Sequence, residues 1–318
     1  MKTYESKSEK KLSLLLLGIP PFLLLLTICV VLIFWEDHDP SMKKQEHDFE
    51  EMEIYPTDNG LMPKRREDVF IEKMTLEEKV AQLFLLTPEG LTKVAQVSAA
   101  GETTREAFFE YPVGGIIYFG ENLHTKEQTE ALLYDMQQIS MERLGIPVFL
   151  CLGESSEAAL GQKFHLDFAD TGMENETGLN FVRYFEGYGD EEDSSLISIR
   201  TEIEEGTNLL LMEHVAVSEG IPASLSEEIV TGVVREALGY EGVVITDAMN
   251  RNEILENYTQ AESAVMALLA GADMILMPEN FQEAFEGILE AVADGTITEE
   301  RLNESMKRIL KLKSKISG

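Results

Sequence analysis

The stretch Gly242-Val243-Val244-Ile245-Thr246-Asp247-Ala248-Met249-Asn250 decides the fold. Apolar and β-branched residues run from Val243 to Thr246 straight into a carboxylate, just after a helix that ends at Gly239. A continuous apolar run of this length reads as a parallel strand buried on both faces, with an acid at its C-terminal end. In a barrel of alternating strands and helices, that end carries the chemistry. A competing reading makes Asp247 the cap of the helix that follows the strand.

Outward from this strand the same alternation repeats. Strands are predicted at 82–86, 114–119, 148–152, 165–169, 179–185, 208–217, 242–250 and 272–277. Helices are predicted between and after them. Thr75-Leu76-Glu77-Glu78 is a capping box that opens a short helix ahead of the first strand. A helix over 125–144 is opened by Thr125 and Gln128 and stopped by Gly145 and Pro147. Ser226 is predicted to cap a helix that ends at Gly239, and Gly271 stands behind a helix over 259–270. Helices over 280–293 and 298–313 follow. Eight strands with helices between them, in ~250 residues, is the count of a (β/α)8 TIM-type barrel, an α/β fold. One connection does not fit. Only 170–180 separates the fourth and fifth strands, and a parallel crossover needs a dozen or so residues and usually a helix. The barrel is therefore expected to be incomplete or distorted between those two strands.

The folded body is expected to cover 66–318. Residues 1–11 are polar, with Lys2, Lys7, Lys10 and Lys11, and read as a cytoplasmic tail. Residues 12–35 are almost wholly apolar and uncharged, long enough to span a bilayer as a single anchor. The basic flank before and the acidic flank after put the N-terminus inside, the barrel outside and the protein at the cell membrane. A cleaved signal peptide is the alternative, disfavoured by the length of the run. Residues 36–65 are acidic, with Pro40, Pro56 and Pro63, and read as a linker.

The formal net charge of −32 excludes nucleic acid as a partner, since that needs clustered cations against phosphate. Two cysteines, Cys29 and Cys151, give no disulfide framework, and the five histidines show no ligand spacing. Neither a metal nor a cofactor is expected.

Five segments in register resemble a known family: Met74 to Phe84, Pro112-Val113-Gly114-Gly115-Ile116-Ile117, Pro222-Ala223-Ser224-Leu225-Ser226, Gly242 to Met249, and Ala270-Gly271-Ala272-Asp273-Met274. They look like the N-terminal barrel domain of glycoside hydrolase family 3, in its β-N-acetylhexosaminidase branch. The resemblance implies hydrolysis of O-glycosyl bonds in carbohydrate or cell-wall metabolism, by a retaining mechanism with Asp247 at the nucleophile position.

The resemblance also marks what this sequence lacks. The family's Lys-His-Phe-Pro-Gly-His-Gly motif corresponds to Arg183 to Gly189, with Tyr184 and Tyr188 in place of both histidines. Its acid–base Asp-x-His dyad becomes Asp193-Ser194-Ser195, so Asp193 survives as a remnant beside a hydroxyl that cannot move the proton. A solvated acidic loop is the plainer reading of Asp193. The family's sugar-holding Asp after the third strand is Gly153 here. Arg183 and His214 match substrate-binding positions, and a structural role for His214 is equally open. Two readings follow: an anchored hydrolase of β-N-acetylhexosaminides with impaired or lost catalysis, or a non-catalytic pseudoenzyme that binds carbohydrate or scaffolds at the cell surface.

Overall fold

The computed structural model describes residues 65–153, 166–168, 183–185, 200, 203–204, 206–217 and 220–316. They begin with α1 (Arg66–Lys73) and α2 (Leu76–Ala81), followed by β1 (Phe84–Leu86). Next come α3 (Pro88–Thr92), α4 (Glu102–Glu110), β2 (Gly115–Tyr118), α5 (Lys126–Leu144), β3 (Phe149–Gly153), β4 (Leu166–Phe168) and β5 (Arg183–Phe185). The C-terminal half holds β6 (Leu209–Met212), α6 (Glu228–Ala237), β7 (Val243–Ala248), α7 (Asn252–Leu255), α8 (Gln260–Ala270), β8 (Met274–Leu276), α9 (Phe281–Ala293) and α10 (Glu299–Ile316).

The strands form one curled sheet in the order β4-β3-β2-β1-β8-β7-β6-β5. Every neighbouring pair is parallel except β3 and β4. The central strands β1, β2, β6, β7 and β8 are buried along their whole length, as parallel strands covered on both faces should be. Among the described residues the circle does not close, because β4 and β5 are its two ends and no pairing joins them. The departure from a regular barrel is wider than the short fourth connection alone implies. β4 also runs backwards, with Cys151 opposite Phe168 and Gly153 opposite Leu166. An antiparallel return needs no crossover helix.

Local signals explain most element ends. Thr75 and Glu78 close a reciprocal capping box at α2, and Thr259 and Glu262 do the same at α8. Gly145 (φ 69°) and Gly271 (φ 112°) end α5 and α8 in the left-handed conformation that glycine adopts without steric cost. Ser226 does not cap α6. Glu227 precedes that helix, whose end is wound wide: the Leu238 N–H donates to the Val233 carbonyl at 2.9 Å, five residues back. The helices pack on the sheet through an aromatic knot in which Phe281 meets Phe84 and Tyr111 edge-on, 5.1 and 5.2 Å between ring centres. Gly114 must be glycine, since a Cβ there would overlap the Gln82 carbonyl oxygen where β2 enters the sheet beside α2.

Asp273 holds the N-terminal ends of β7 and β8 together. Fully buried, it accepts from the Val244 N–H at 3.0 Å, Arg235 at 2.5 Å, the Ser305 hydroxyl at 2.8 Å and Arg308 at 3.0 Å. This carboxylate thereby ties α6 and α10 to the sheet. The proposed anchor at 12–35 and the linker at 36–65 lie outside the described residues, apart from Arg65. Among the described residues, no helix is long and apolar enough to cross a membrane.

Candidate active site

The pairing of β7 with β8 slips just before its end. Ile245 sits opposite Met274 and Ala248 opposite Leu276, so β7 carries one more residue than β8 between these pairs. The Thr246 hydroxyl takes up the disturbed ladder by accepting the Leu276 N–H at 3.2 Å. A bulge of this kind re-aims side chains, and the two residues inside it are Thr246 and Asp247. The next strand ends unusually as well: Met277 follows β8 at φ 45°, a left-handed conformation that side chains other than glycine rarely adopt.

Asp247 is 3% exposed. Its Oδ1 accepts the N–H of Ala248 at 2.7 Å, and its Oδ2 lies 3.1 Å from Nε of Arg251. Burial raises the carboxyl pKa above its ordinary value, while His214, Arg251 and the Ala248 N–H pull it back down. The helix-cap reading does not describe this geometry. Asp247 bonds to its own neighbour, and α7 starts after Arg251 with no side-chain cap.

His214 lies beyond β6 and reaches across to β7. It is 7% exposed, with Nε2 at 3.1 Å from the Ala248 carbonyl and Nδ1 at 2.7 Å from the Ser224 hydroxyl. A carbonyl only accepts, so Nε2 carries the hydrogen. Burial lowers the imidazole pKa, which keeps the ring neutral and makes Nδ1 the acceptor of the Ser224 hydroxyl. With both nitrogens engaged by protein, His214 buttresses the wall beside Asp247 and has no proton free for a leaving group. Ser224 and Arg251 escaped the sequence reading. Ser224 stood inside a quoted motif, and Arg251 lay four residues after Asp247, a spacing that brings side chains together in a tight turn as on a helix.

Gly153 ends β3 with the ring of Phe119 pressed against it, and a Cβ at this position would overlap that ring. The space in which a longer side chain would start is therefore filled. Arg183 opens β5, opposite Leu210 of β6. Asp193 and Ser195 lie outside the described residues. Cys151 is buried and free, and its thiol pKa is raised by burial. Among the described residues, no group of three His, Cys, Asp or Glu side chains is placed to hold a metal.

A curled, largely parallel sheet with a buried carboxylate at the C-terminal end of a bulged strand defines an α/β domain of the barrel class, with its candidate site at the strand ends. The chain belongs to glycosyl hydrolase family 3: the profile of the "Glycosyl hydrolase family 3 N terminal domain" matches residues 75–166 and 190–312. The match breaks across the stretch where the sequence lacks a crossover, so Arg183 falls in the gap and Asp193 beyond it. The chain is 28% identical over 138 residues to a β-N-acetylglucosaminidase/β-glucosidase of Cellulomonas fimi, covering 39% of this chain and 24% of that one. It is 32% identical over 104 residues to β-hexosaminidase A of Pseudoalteromonas piscicida, covering 30% and 17%. It thus spans a quarter or less of the length of either relative.

Among solved structures, a family 3 β-N-acetylglucosaminidase from Paenibacillus sp. str. FPU-7 superposes with a TM-score of 0.60 at 26% identity, over 77% of this chain and 63% of that one. The β-N-acetylhexosaminidase of Beutenbergia cavernae shares the fold, with a TM-score of 0.59 at 15% identity over 76% of this chain and 99% of its own.

Proposed function

We propose that this chain is a barrel that recognises β-N-acetylhexosaminides and whose hydrolysis of their O-glycosyl bonds is impaired. The observation that carries the reading is Asp247, a buried carboxylate at the end of a bulged strand, inside the segment matched by the family. In a retaining mechanism Asp247 attacks the anomeric carbon and a second group protonates the leaving oxygen. That second group is the weak half. Ser195 stands at the position of the family's His, leaving Asp193 as the remnant of the dyad, and His214 is committed to Ala248 and Ser224. Arg183 and His214 flank the sugar in this reading, with His214 acting through the wall it supports.

A second reading, a non-catalytic module that keeps only carbohydrate binding or scaffolding, is favoured by Phe119 filling the space at Gly153. In both readings residues 12–35 anchor the protein in the cell membrane with the barrel outside. A hydrolysis assay separates them, with an aryl N-acetylglucosaminide as substrate and three proteins: wild type, Asp247→Asn and Ser195→His. Impaired hydrolysis predicts slow turnover that is lost in Asp247→Asn and rises at least about tenfold in Ser195→His, since general acid–base assistance is worth ~10²–10⁴-fold. No turnover in wild type or Ser195→His, with retained binding of the sugar, would favour the second reading.

A further inference from the structure

Arg251 is fixed more firmly than its position in a turn suggests. Its N–H donates to the Ala248 carbonyl at 3.2 Å, and its own carbonyl accepts the N–H groups of Ile254 and Leu255, both at 3.0 Å. The side chain spans from solvent to the site: the guanidinium residue is 30% exposed and the carboxylate it meets is 5% exposed. The charged or titratable groups acting on Asp247 are Arg251 on the same turn, His214 from beyond β6, and Glu253 on α7. His214 favours the ionised carboxylate when it carries a proton, but burial lowers its own pKa so that it gives up that charge toward neutral pH, and Glu253 opposes ionisation. Arg251 therefore supplies the positive charge at a carboxylate that burial would otherwise drive toward its protonated, non-nucleophilic form.

We propose that Arg251 is a positioning residue for the reaction assigned above, holding Asp247 ionised and its carboxylate plane fixed. The inference rests on that reading for its chemical meaning, while the ion pair itself is testable without any turnover. The two oxygens have different partners: Oδ1 accepts the Ala248 N–H, and Oδ2 faces the Arg251 guanidinium as an ion pair at 3.1 Å. Removing the guanidinium releases Oδ2 and lets the carboxyl take up a proton at higher pH.

The test is a thermal-stability cycle on the full chain from pH 5 to pH 8, with Arg251→Met, Arg251→Lys, Asp247→Asn and the double variant Asp247→Asn/Arg251→Met. An acid whose folded pKa lies above its unfolded value loses stability as pH rises from the unfolded to the folded pKa; with Asp247 raised further in Arg251→Met, the variant goes on losing stability above the pH at which wild type levels off. The variant's deficit against wild type should grow by about 2–4 °C or more between pH 5 and pH 8, the shift that a modest electrostatic loss gives a domain of this size. Arg251→Lys should recover part of it, and in the Asp247→Asn background the deficit should not change with pH. A deficit that is flat with pH, or that keeps its pH dependence without Asp247, would overturn the proposal. Where wild type turns over the aryl substrate, the acid limb of its kcat/KM profile should move to higher pH in Arg251→Met, and an unmoved limb would count against a role in the reaction. Absence of wild-type turnover would sink the hydrolase reading, and the thermal cycle would still decide the ion pair.

Discussion

Replacing Asp273 by Ala removes the acceptor at the centre of a buried network. The carboxylate is fully buried and faces Arg235, Arg301 and Arg308, whose side chains are only 11%, 19% and 27% exposed. It also satisfies the Val244 N–H at the start of β7 and the Ser305 hydroxyl on α10. Breaking a buried charge pair by deleting one partner costs about 3–5 kcal/mol, because the remaining charge stays desolvated. Arg235 keeps the carbonyls of Tyr240 and Gly242, and Arg301 keeps those of Leu268 and Ala272, which puts the loss toward the lower end. For a domain of this size each kcal/mol moves Tm by about 2–4 °C, so a fall of roughly 6 °C or more is expected. Thermal melts followed by far-UV circular dichroism measure the fall in Tm and urea unfolding the free-energy loss, and high salt should change the difference little, as the pair is shielded from solvent. A loss under about 1 kcal/mol would refute the account of Asp273 as the tie between α6, α10 and the sheet.

Other substitutions test separate parts of the structure. Gly153→Ala should destabilise by about 1–3 kcal/mol, because its Cβ meets the Phe119 ring, and Phe119→Ala should relieve most of that cost in the double variant. Thermal melts of the four proteins measure the coupling. Lys313 is buried beside Gln82, 2.7 Å from its Oε1, and burial pushes its pKa down to about 7. A base whose folded pKa lies below its unfolded value costs most stability while both states are charged. The stability of wild type relative to Lys313→Met should therefore rise between about pH 7 and pH 10.5, as followed by urea midpoints; a flat difference would show that the amine is not titrating in the core. Thr259→Ala removes the hydroxyl that accepts the Glu262 N–H at 3.1 Å and should cost about 1 kcal/mol by the same unfolding assay.

The sequence made the strands near the core easy to read. Val243-Val244-Ile245, Ile116-Ile117 and Met274-Ile275-Leu276 are apolar runs with no polar alternation, which only a sheet covered on both faces explains. Cap chemistry placed α2 and α5 because Thr75 and Thr125 act within three residues of themselves, and Gly271 marked the end of α8, whose Thr259 capping box the structure adds. What escaped depended on groups distant in sequence. The reversal of β4 is a choice of partner direction, and Leu166-Asp167-Phe168 reads the same either way. Ser226 has the right residue type for a cap, but its neighbours wind with wider hydrogen bonds and leave its hydroxyl outside that role. At the site, Asp247 was visible because a carboxylate ends an apolar strand. His214 was visible only through the resemblance, and its partner Ser224 and the bulge that turns Asp247 emerge only when β6, β7 and β8 are side by side.

The central claim is a retained nucleophile beside a weakened acid–base half, and it has a direct chemical signature. An activated N-acetylglucosaminyl donor with a dinitrophenolate leaving group needs no proton to depart, so Asp247 alone should displace it. The ester then formed should persist, because hydrolysing it requires a base to activate water. Intact-protein mass spectrometry of wild type after brief exposure should show one added N-acetylglucosaminyl group, mapped by peptide fragmentation to Asp247, and none in Asp247→Asn. An adduct that never forms, or one that forms equally in Asp247→Asn, would contradict the account.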